Sequence, residues 1–337
     1  MSTGHYRLLS PYTPLRRSLA TLNLLFSALA GAVSFGQNPA HPPKPNEVLR
    51  LGFSSNVFSG LNESDARASV KALASTIARE HGIDADPDPL VTANLEESLQ
   101  AVNDGLVDAI ALPLDEYDIL RKKSEFDRLL VATYGGDYRE TYLLLVHKES
   151  SISHLADLKG KRMNCLTGAR MTLARPWIDV ELAKASLPTL DRFVSTVSEI
   201  PKAAKAVLPV FFHQSDACLV TERAYRIVVE LNPQIGRDLR ILARSQPYLP
   251  SIFAFRSGCP SSLKDKSIKV FCRLHQTPYG QQTLLIFQSP QVEERPAADL
   301  TISLKLLEEY SERCPAEYAA RVAALNRNAE NAARLKR

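Results

Sequence analysis

The sequence predicts an α/β protein of two lobes, each a mostly parallel sheet flanked by helices, with two crossing strands as the hinge. From Val48 onwards, short apolar segments alternate with amphipathic ones, which is typical of α/β folds with largely parallel sheets. In segment 141–172 the apolar run Tyr142–Val146 is followed, after a polar break, by a second run at Met163–Leu166. A strand that leaves one sheet and is soon followed by a strand of another is how two-lobed α/β proteins change lobes.

Lobe one is expected to open with four strands that alternate with helices. The expected strands are Val48–Phe53, Leu90–Thr92, Val107–Leu112 and Leu129–Tyr134, and the expected helices are Asp65–His81, Leu95–Val102 and a third running from Tyr117 to Lys123. Ligands of parallel sheets bind beyond the carboxyl ends of the strands. Those ends are expected at 54–56, 93–94 and 113–117.

Lobe two repeats the scheme, and the chain then returns to lobe one. The expected strands are Met163–Leu166, Arg192–Val197, Ala217–Val220 and Leu239–Ala243, with helices at Thr172–Leu187, Ile200–Val207 and Ala224–Leu231. A second crossing at Ser245–Pro250 leads into the strand Ser251–Phe255. Lobe one therefore takes residues 48–141 and 251–337, including a surface helix at about 315–337, and lobe two takes residues 142–250.

The first 47 residues predict an exported protein. Arg16 and Arg17 precede the apolar run Leu19–Val33, and Ala28–Ala30 offers a small-x-small cleavage site. Residues 1–36 are therefore expected to be a signal peptide. The alternative is an uncleaved anchor, but the apolar core is shorter than the ~18 residues that span a membrane. Residues 37–47 are rich in proline and predict an extended tether.

Composition excludes several classes of protein. The chain has 337 residues, enough for two lobes, and a formal charge of +4. Residues 1–36 contain three arginines and no acidic residue, so the remainder is nearly neutral. It therefore lacks the excess of basic residues that is typical of nucleic-acid-binding proteins. The sequence lacks the G-x-S-x-G, H-E-x-x-H and P-loop motifs, its five cysteines form no C-x-x-C, and its histidines are scattered. We therefore expect no catalytic residues, no metal site and no cofactor.

The segment Ser151–Arg162 carries a family resemblance. It resembles the x-I-x-x-L-x-D-L-K-G-K-R signature that follows the first interlobe crossing in type II periplasmic solute-binding proteins. Within that superfamily, residues from Val48 to Arg313 most resemble the phosphate/phosphite/phosphonate-binding component of ABC transporters. The resemblance implies the type II periplasmic-binding-protein fold and a periplasmic monomer. It further implies that a small anionic ligand is captured in the interlobe cleft for an ABC permease in the inner membrane.

Two other functions use the same fold. One is a periplasmic sensory or regulatory module that binds a ligand and docks on a membrane sensor kinase. The other is an enzyme, which would need a histidine- or lysine-centred site that the sequence does not reveal. A neighbouring permease gene would favour transport, and a neighbouring kinase gene would favour sensing.

The turn Thr167–Thr172 is the most informative candidate site. A turn between a strand and a helix presents unpaired N–H groups and the positive end of the helix dipole to the cleft. Phosphonate-binding relatives have a T-S-G or S-T-S-G turn here, whereas this chain offers the hydroxyl of Thr172 and adds Arg170. Arg170 is suited to bidentate bonds with a phosphonate or carboxylate, although a solvent-exposed arginine on the rim is the alternative.

Other candidate ligand-binding residues follow from the expected strand ends. Ser54 and Ser55 follow the first strand, and Thr221 and Glu222 follow Ala217–Val220. Tyr117 stands in a segment that resembles the family's G-P-x-x-Y, where its hydroxyl would be a donor. The alternative for Tyr117 is an aromatic residue packed in the core.

Overall fold

The computed structural model describes residues 48–58, 63–287 and 289–334. The expected signal peptide (1–36) and tether (37–47) lie outside these residues. Among the described helices, none combines the length and the apolar character that crossing a bilayer requires.

Six strands form the first sheet, in the order β11-β4-β10-β3-β1-β2. They are β1 (Leu51–Ser54), β2 (Leu90–Thr92), β3 (Ala109–Pro113), β4 (Phe126–Thr133), β10 (Ser251–Arg256) and β11 (Gln291–Arg295). Strand β1 is parallel to β2 and β3, and β10 is antiparallel to both β3 and β4. Strands β1 to β4 therefore all end at the same edge of the sheet.

Five strands form the second sheet, in the order β7-β6-β8-β5-β9. They are β5 (Tyr142–His147), β6 (Arg162–Leu166), β7 (Thr196–Ile200), β8 (Ala217–Thr221) and β9 (Leu239–Arg244). Strand β6 is parallel to β7 and β8, whereas β5 is antiparallel to β8 and β9. Every residue of β5 is buried, which is why this apolar run was recognisable in the sequence.

Helices cover the faces of both sheets. They are α1 (Glu63–His81), α2 (Leu95–Asn103), α3 (Leu114–Leu120), α4 (Ala174–Lys184), α5 (Leu190–Phe193), α6 (Ala203–Phe211), α7 (Glu222–Leu231), α8 (Pro233–Asp238), α9 (Ser261–Arg273), α10 (Pro278–Ile286), α11 (Thr301–Arg313) and α12 (Pro315–Arg334). Two of the helices that follow strand ends have a side-chain cap at their N-terminus. Asn94 accepts a 2.8 Å bond from Glu97 N at α2, and Thr221 accepts a 3.1 Å bond from Ala224 N at α7.

Two crossings join the sheets and lie side by side. The chain passes from β4 to β5 and returns from β9 to β10. Between them, Glu140 N donates to Tyr248 O at 2.6 Å and Tyr248 N donates to Glu140 O at 2.8 Å. The predicted α/β class with two lobes and a pair of crossing segments is confirmed. We propose that the lobe boundaries lie at these crossings, between residues 141 and 142 and between residues 250 and 251.

Several local predictions were wrong or incomplete. The expected strand Arg192–Val197 is instead the short helix α5 followed by β7, because Leu190 and Phe193 are both buried one helical turn apart and Leu190 N is held by Asp179 Oδ1 at 2.8 Å. Helices α8 and α10 and strand β11 were not expected. Both helices start with a proline after a capping Asn232 or Thr277, a pattern present in the sequence.

The C-terminal helices contact elements of both sheets. Helix α11 packs against α3, which follows the first sheet's β3, and against α4, which follows the second sheet's β6. Helix α12 packs against α11 and α2. From α12, Arg321 Nε donates to Asp115 Oδ2 at 2.7 Å and its Nη2 donates to Thr172 O at 2.9 Å. One arginine of the last helix thus ties α3 to the turn that precedes α4.

We predict that Arg321→Ala lowers the free energy of unfolding by about 3 kcal/mol, because removing one member of a mostly buried ion pair leaves the other charge uncompensated. The Asp115 side chain is only 6% exposed, and that of Arg321 27%. Denaturant unfolding measures the change. The exposed Arg313→Ala, in the preceding helix, is the matched control and should change stability by at most about 0.5 kcal/mol. Adding Asp115→Asn to Arg321→Ala should recover part of the loss, and no loss in the single variant would contradict this account.

Candidate functional site

The carboxyl edges of the two sheets face each other, and we call the region where they meet the cleft. Each crossing connects these edges, since Tyr142 at the start of β5 pairs with Thr221 and Ser251 at the start of β10 pairs with Pro113. Two short 3-10 segments, Ser55–Phe58 and Ala169–Met171, contact each other from opposite sides. The structure therefore has its two sheet edges in contact at this cleft.

The first sheet contributes a buried carboxyl to the cleft wall. Glu116, only 1% exposed, accepts a 2.6 Å bond from Asn56 Nδ2 and a hydrogen bond from Ser54. Its Oε2 is buried and has no hydrogen-bond partner among the described residues. Burial, followed by the neighbouring Asp115 carboxylate, raises the pKa of Glu116 to about 7. This wall is therefore less negative near neutral pH than its sequence suggests.

A cluster of two arginines, one tyrosine and one glutamate lies where the cleft meets the first crossing. The Cζ atoms of Arg170 and Arg223 lie 3.7 and 3.8 Å from the ring centre of Tyr134, which follows β4. Arg170 Nη1 donates to Glu140 Oε1, and Arg223 Nε lies 3.7 Å from the same oxygen. We call Arg170 and Arg223 the arginine pair. The carboxylate of Glu140 therefore lies close to both cations.

This cluster contains donors without acceptors. The hydroxyl of Tyr134 and Nε of Arg223 are buried and have no hydrogen-bond partner in the described parts of the chain. Burial lowers the pKa of Arg223, the Arg170 charge lowers it further, and Glu140 only partly offsets both effects. A buried donor that lacks an acceptor costs free energy, which an added oxyanion would recover.

Arg170 is also anchored through its backbone. Tyr142 Oη donates to Arg170 O at 3.0 Å, and the Tyr142 ring stacks on Trp177 in α4 at 6.3 Å between centroids. Arg170 itself precedes α4 by one 3-10 turn, so the helix begins at Ala174, two residues later than predicted. Tyr142 thus contacts both Arg170 and Trp177, the single tryptophan of the chain.

The other residues predicted for the site have internal partners. Ser54 Oγ accepts from Asn56 N at 3.2 Å, and Ser55 Oγ donates to Ala93 O at 3.5 Å. Thr172 Oγ1 donates to Ala169 O at 2.7 Å. Their hydroxyls stabilise the loops at the cleft.

The remaining three predicted residues have structural roles as well. Thr221 caps α7, and Glu222 Oε2 accepts from Arg244 Nη1 at 2.5 Å. The Tyr117 ring packs on Phe126 at 5.4 Å in the hydrophobic core, and burial raises the pKa of its hydroxyl. This packing agrees with the alternative from the sequence analysis, in which Tyr117 is an aromatic residue of the core.

Sequence analysis missed several residues that the structure brings to the cleft. Arg223 directly follows the predicted pair Thr221 and Glu222, so its position after β8 was a usable signal. Tyr134 and Glu140 flank the first crossing, and Arg321 belongs to a charged, alanine-rich helix. No motif distinguishes these three residues in the sequence.

A second polar cluster lies at the end of β5 that is remote from the cleft. His147, Glu149 and His213 offer possible metal-ligand atoms within 4.8 Å of one another, although their spacing in the sequence indicated no metal site. Burial and His213 lower the pKa of His147. His147 Nδ1 accepts from Glu149 N at 3.2 Å, so a neutral His147 carries its proton on Nε2. This cluster takes no part in the cleft.

We predict that Glu116→Gln stabilises the protein at pH 8 but not at pH 4. A carboxyl whose pKa rises from 4.5 to about 7 on folding binds its proton more tightly in the folded state, so stability falls as pH rises between those values. The variant keeps an acceptor for Asn56 and cannot ionise, so it should gain on the order of 2 kcal/mol at pH 8. Denaturant unfolding at both pH values measures this. The exposed Glu96→Gln should show no such gain, and a loss at pH 8 for Glu116→Gln would refute the assignment.

Comparison with known proteins agrees with the fold and the cleft. The family model for the periplasmic substrate-binding protein of phosphonate ABC transporters matches residues 57–299, well over half of the chain. A search of curated proteins found no match.

Solved structures share the fold at low sequence identity. XAC2383 of Xanthomonas citri, bound to ATP, has a TM-score of 0.57 and 18% identity, covering 79% of this chain and 99% of its own. PhnD1 of Prochlorococcus marinus, in complex with methylphosphonate, has a TM-score of 0.54 and 12% identity, covering 80% and 99%. A binding-protein component of an ABC phosphonate transporter from Pseudomonas aeruginosa has a TM-score of 0.53 and 13% identity, covering 87% and 100%.

The arrangement of two sheets around a cleft and the match over residues 57–299 lead to one conclusion. The chain belongs to the family of periplasmic substrate-binding proteins of phosphonate ABC transporters, which bind a solute rather than catalyse a reaction.

Proposed function

We propose that this protein captures a small anionic solute with a phosphonate-like or phosphate-like head group in its interlobe cleft. As an exported monomer, it would deliver that solute to an ABC permease in the inner membrane. The observation that carries the proposal is the arginine pair, whose two cations share the carboxylate of Glu140. An oxyanion bound beside them would pair with these cations and accept from Arg223 Nε and the Tyr134 hydroxyl, which have no hydrogen-bond partner among the described residues.

The proposed binding residues come from both sides of the cleft. They are Ser54, Ser55, Tyr117, Arg170, Thr172, Thr221 and Glu222, to which we add Arg223 and Tyr134. Arg170 and Arg223 supply charge, whereas the hydroxyls would reorient from internal partners towards ligand oxygens. Because Tyr117 is buried in the core, we expect it to form part of the apolar wall.

Chemistry shared by two relatives narrows the choice of ligands to test. Methylphosphonate and ATP, bound by the Prochlorococcus and Xanthomonas proteins, both present tetrahedral phosphorus with ionised oxygens. A thermal-shift screen of the mature protein should therefore include methylphosphonate, phosphate, phosphite, sulfate, ATP and acetate. A ligand at 100 times its dissociation constant adds about 2.7 kcal/mol of stability. Stabilisation by none of the phosphorus or sulfur oxyanions would count against the proposal.

We predict that Arg170→Ala weakens binding of methylphosphonate or phosphate by one to two decades, because a charge-assisted hydrogen bond contributes about 1.5–3 kcal/mol. Thr172→Ala should weaken it less, since a neutral hydrogen bond contributes about 0.5–1.5 kcal/mol. Tyr117→Phe should leave it nearly unchanged, because only the ring of Tyr117 would line the cleft. Titration calorimetry, or the fluorescence of Trp177, gives the affinities.

Arg237→Ala is the matched control, because Arg237 is exposed and precedes β9 at the end of the second sheet away from the cleft. It should leave the dissociation constant unchanged. If Arg170→Ala and Thr172→Ala also leave it unchanged while the wild type binds, the anion site lies elsewhere.

A further inference from the structure

The carboxylate of Glu140 holds the position that an anionic ligand would need. Its Oε1 accepts a hydrogen bond from Arg170 Nη1 and lies 3.7 Å from Arg223 Nε. The Glu140 side chain is 3% exposed, whereas those of Arg170 and Arg223 are 26% and 28% exposed. Part of each arginine side chain is therefore exposed to solvent, whereas the Glu140 carboxylate beside them is buried.

Glu140 is also part of the hinge. Its backbone N–H and C=O both pair with Tyr248 of the second crossing. Any movement of the Glu140 side chain would therefore occur in the crossing segments, which form the proposed hinge between the two sheets.

We propose that Glu140 is an internal competitor for the anion, occupying the arginine pair until a ligand of higher charge takes its place. This inference rests on the proposed function. Before an anion binds, the carboxylate offsets part of the charge of these two partly exposed arginines and keeps them oriented. A bound anion must share or take over these donors against the like charge of Glu140, so Glu140 lowers the affinity for every anion.

The competition also sets selectivity. A monocarboxylate such as acetate carries the same charge and the same two oxygens as the Glu140 side chain and gains nothing by replacing it. A phosphonate or phosphate carries up to two charges and three or four oxygens, enough to bind both arginines and the Tyr134 hydroxyl. Glu140 therefore discriminates against carboxylates and in favour of tetrahedral oxyanions.

Replacing the charge while keeping the shape tests this inference. Glu140→Gln should bind methylphosphonate and phosphate about tenfold more tightly than the wild type, equivalent to about 1.4 kcal/mol. It should gain measurable affinity for acetate, so that the preference for methylphosphonate over acetate falls. Glu140→Asp, which keeps the charge but withdraws it by one methylene, should show a smaller gain in the same direction. Calorimetry with these three anions gives the constants, and thermal unfolding verifies that each variant is folded.

Asp137→Asn is the matched control. Asp137 lies in the same turn and carries the same charge, but it is exposed and its Oδ1 accepts from Arg139 N at 3.2 Å. Asp137 raises the pKa of Arg223 least among the groups that act on it, and an exposed charge is screened, so its removal should change affinity by less than about twofold.

The outcomes separate this inference from the proposed function. If the wild type binds methylphosphonate or phosphate and neither Glu140 variant binds more tightly, the competitor role is overturned and the proposed function stands. An equal gain from Asp137→Asn would also overturn it, since general electrostatics would then explain the effect. If neither the wild type nor Glu140→Gln binds either anion, the proposed function fails and the inference with it.

Discussion

The pairing of Glu140 with Tyr248 is the contact on which the rest of the site depends. These two residues join the two crossings in antiparallel register, and the crossings connect the carboxyl edges of both sheets. Because loops at those edges carry the polar side chains, this pairing brings Arg170 and Arg223 of one sheet next to Tyr134 of the other. The position of the cleft thus follows from strand direction.

Charge balance explains how such a cleft stays folded without a ligand. Buried charges are strongly destabilising unless they are paired, and each arginine at this cleft has an acidic partner from another part of the chain. Arg321 reaches from the last helix to Asp115, and the arginine pair shares Glu140. Beside the arginine pair, Arg223 Nε and the Tyr134 hydroxyl have no hydrogen-bond partner among the described residues. Incomplete internal compensation is what a binding protein needs, since full compensation would leave a ligand nothing to gain.

The alternation of strands and helices was predictable because it depends on local hydrophobic pattern. Strand β5 is an example, because its continuous apolar run is buried along its whole length. Strand β7 was misplaced because the buried Leu190 and Phe193 support a helical turn as well as a strand. Arg170 could be proposed from the sequence because it lies in the turn between an expected strand and the helix that follows. Glu140, Tyr134 and Arg321 were missed because their roles arise from long-range contacts, which no local pattern records.

The most direct test of this account is a crystal structure of the mature protein with methylphosphonate or phosphate. We predict that the oxyanion lies between the two sheet edges. Its oxygens should lie about 2.7–2.9 Å from guanidinium nitrogens of both Arg170 and Arg223, which is the usual length of a charge-assisted hydrogen bond. The Glu140 carboxylate should have moved away from Arg170. An anion bound elsewhere in the cleft, with the Glu140–Arg170 bond intact, would contradict the account.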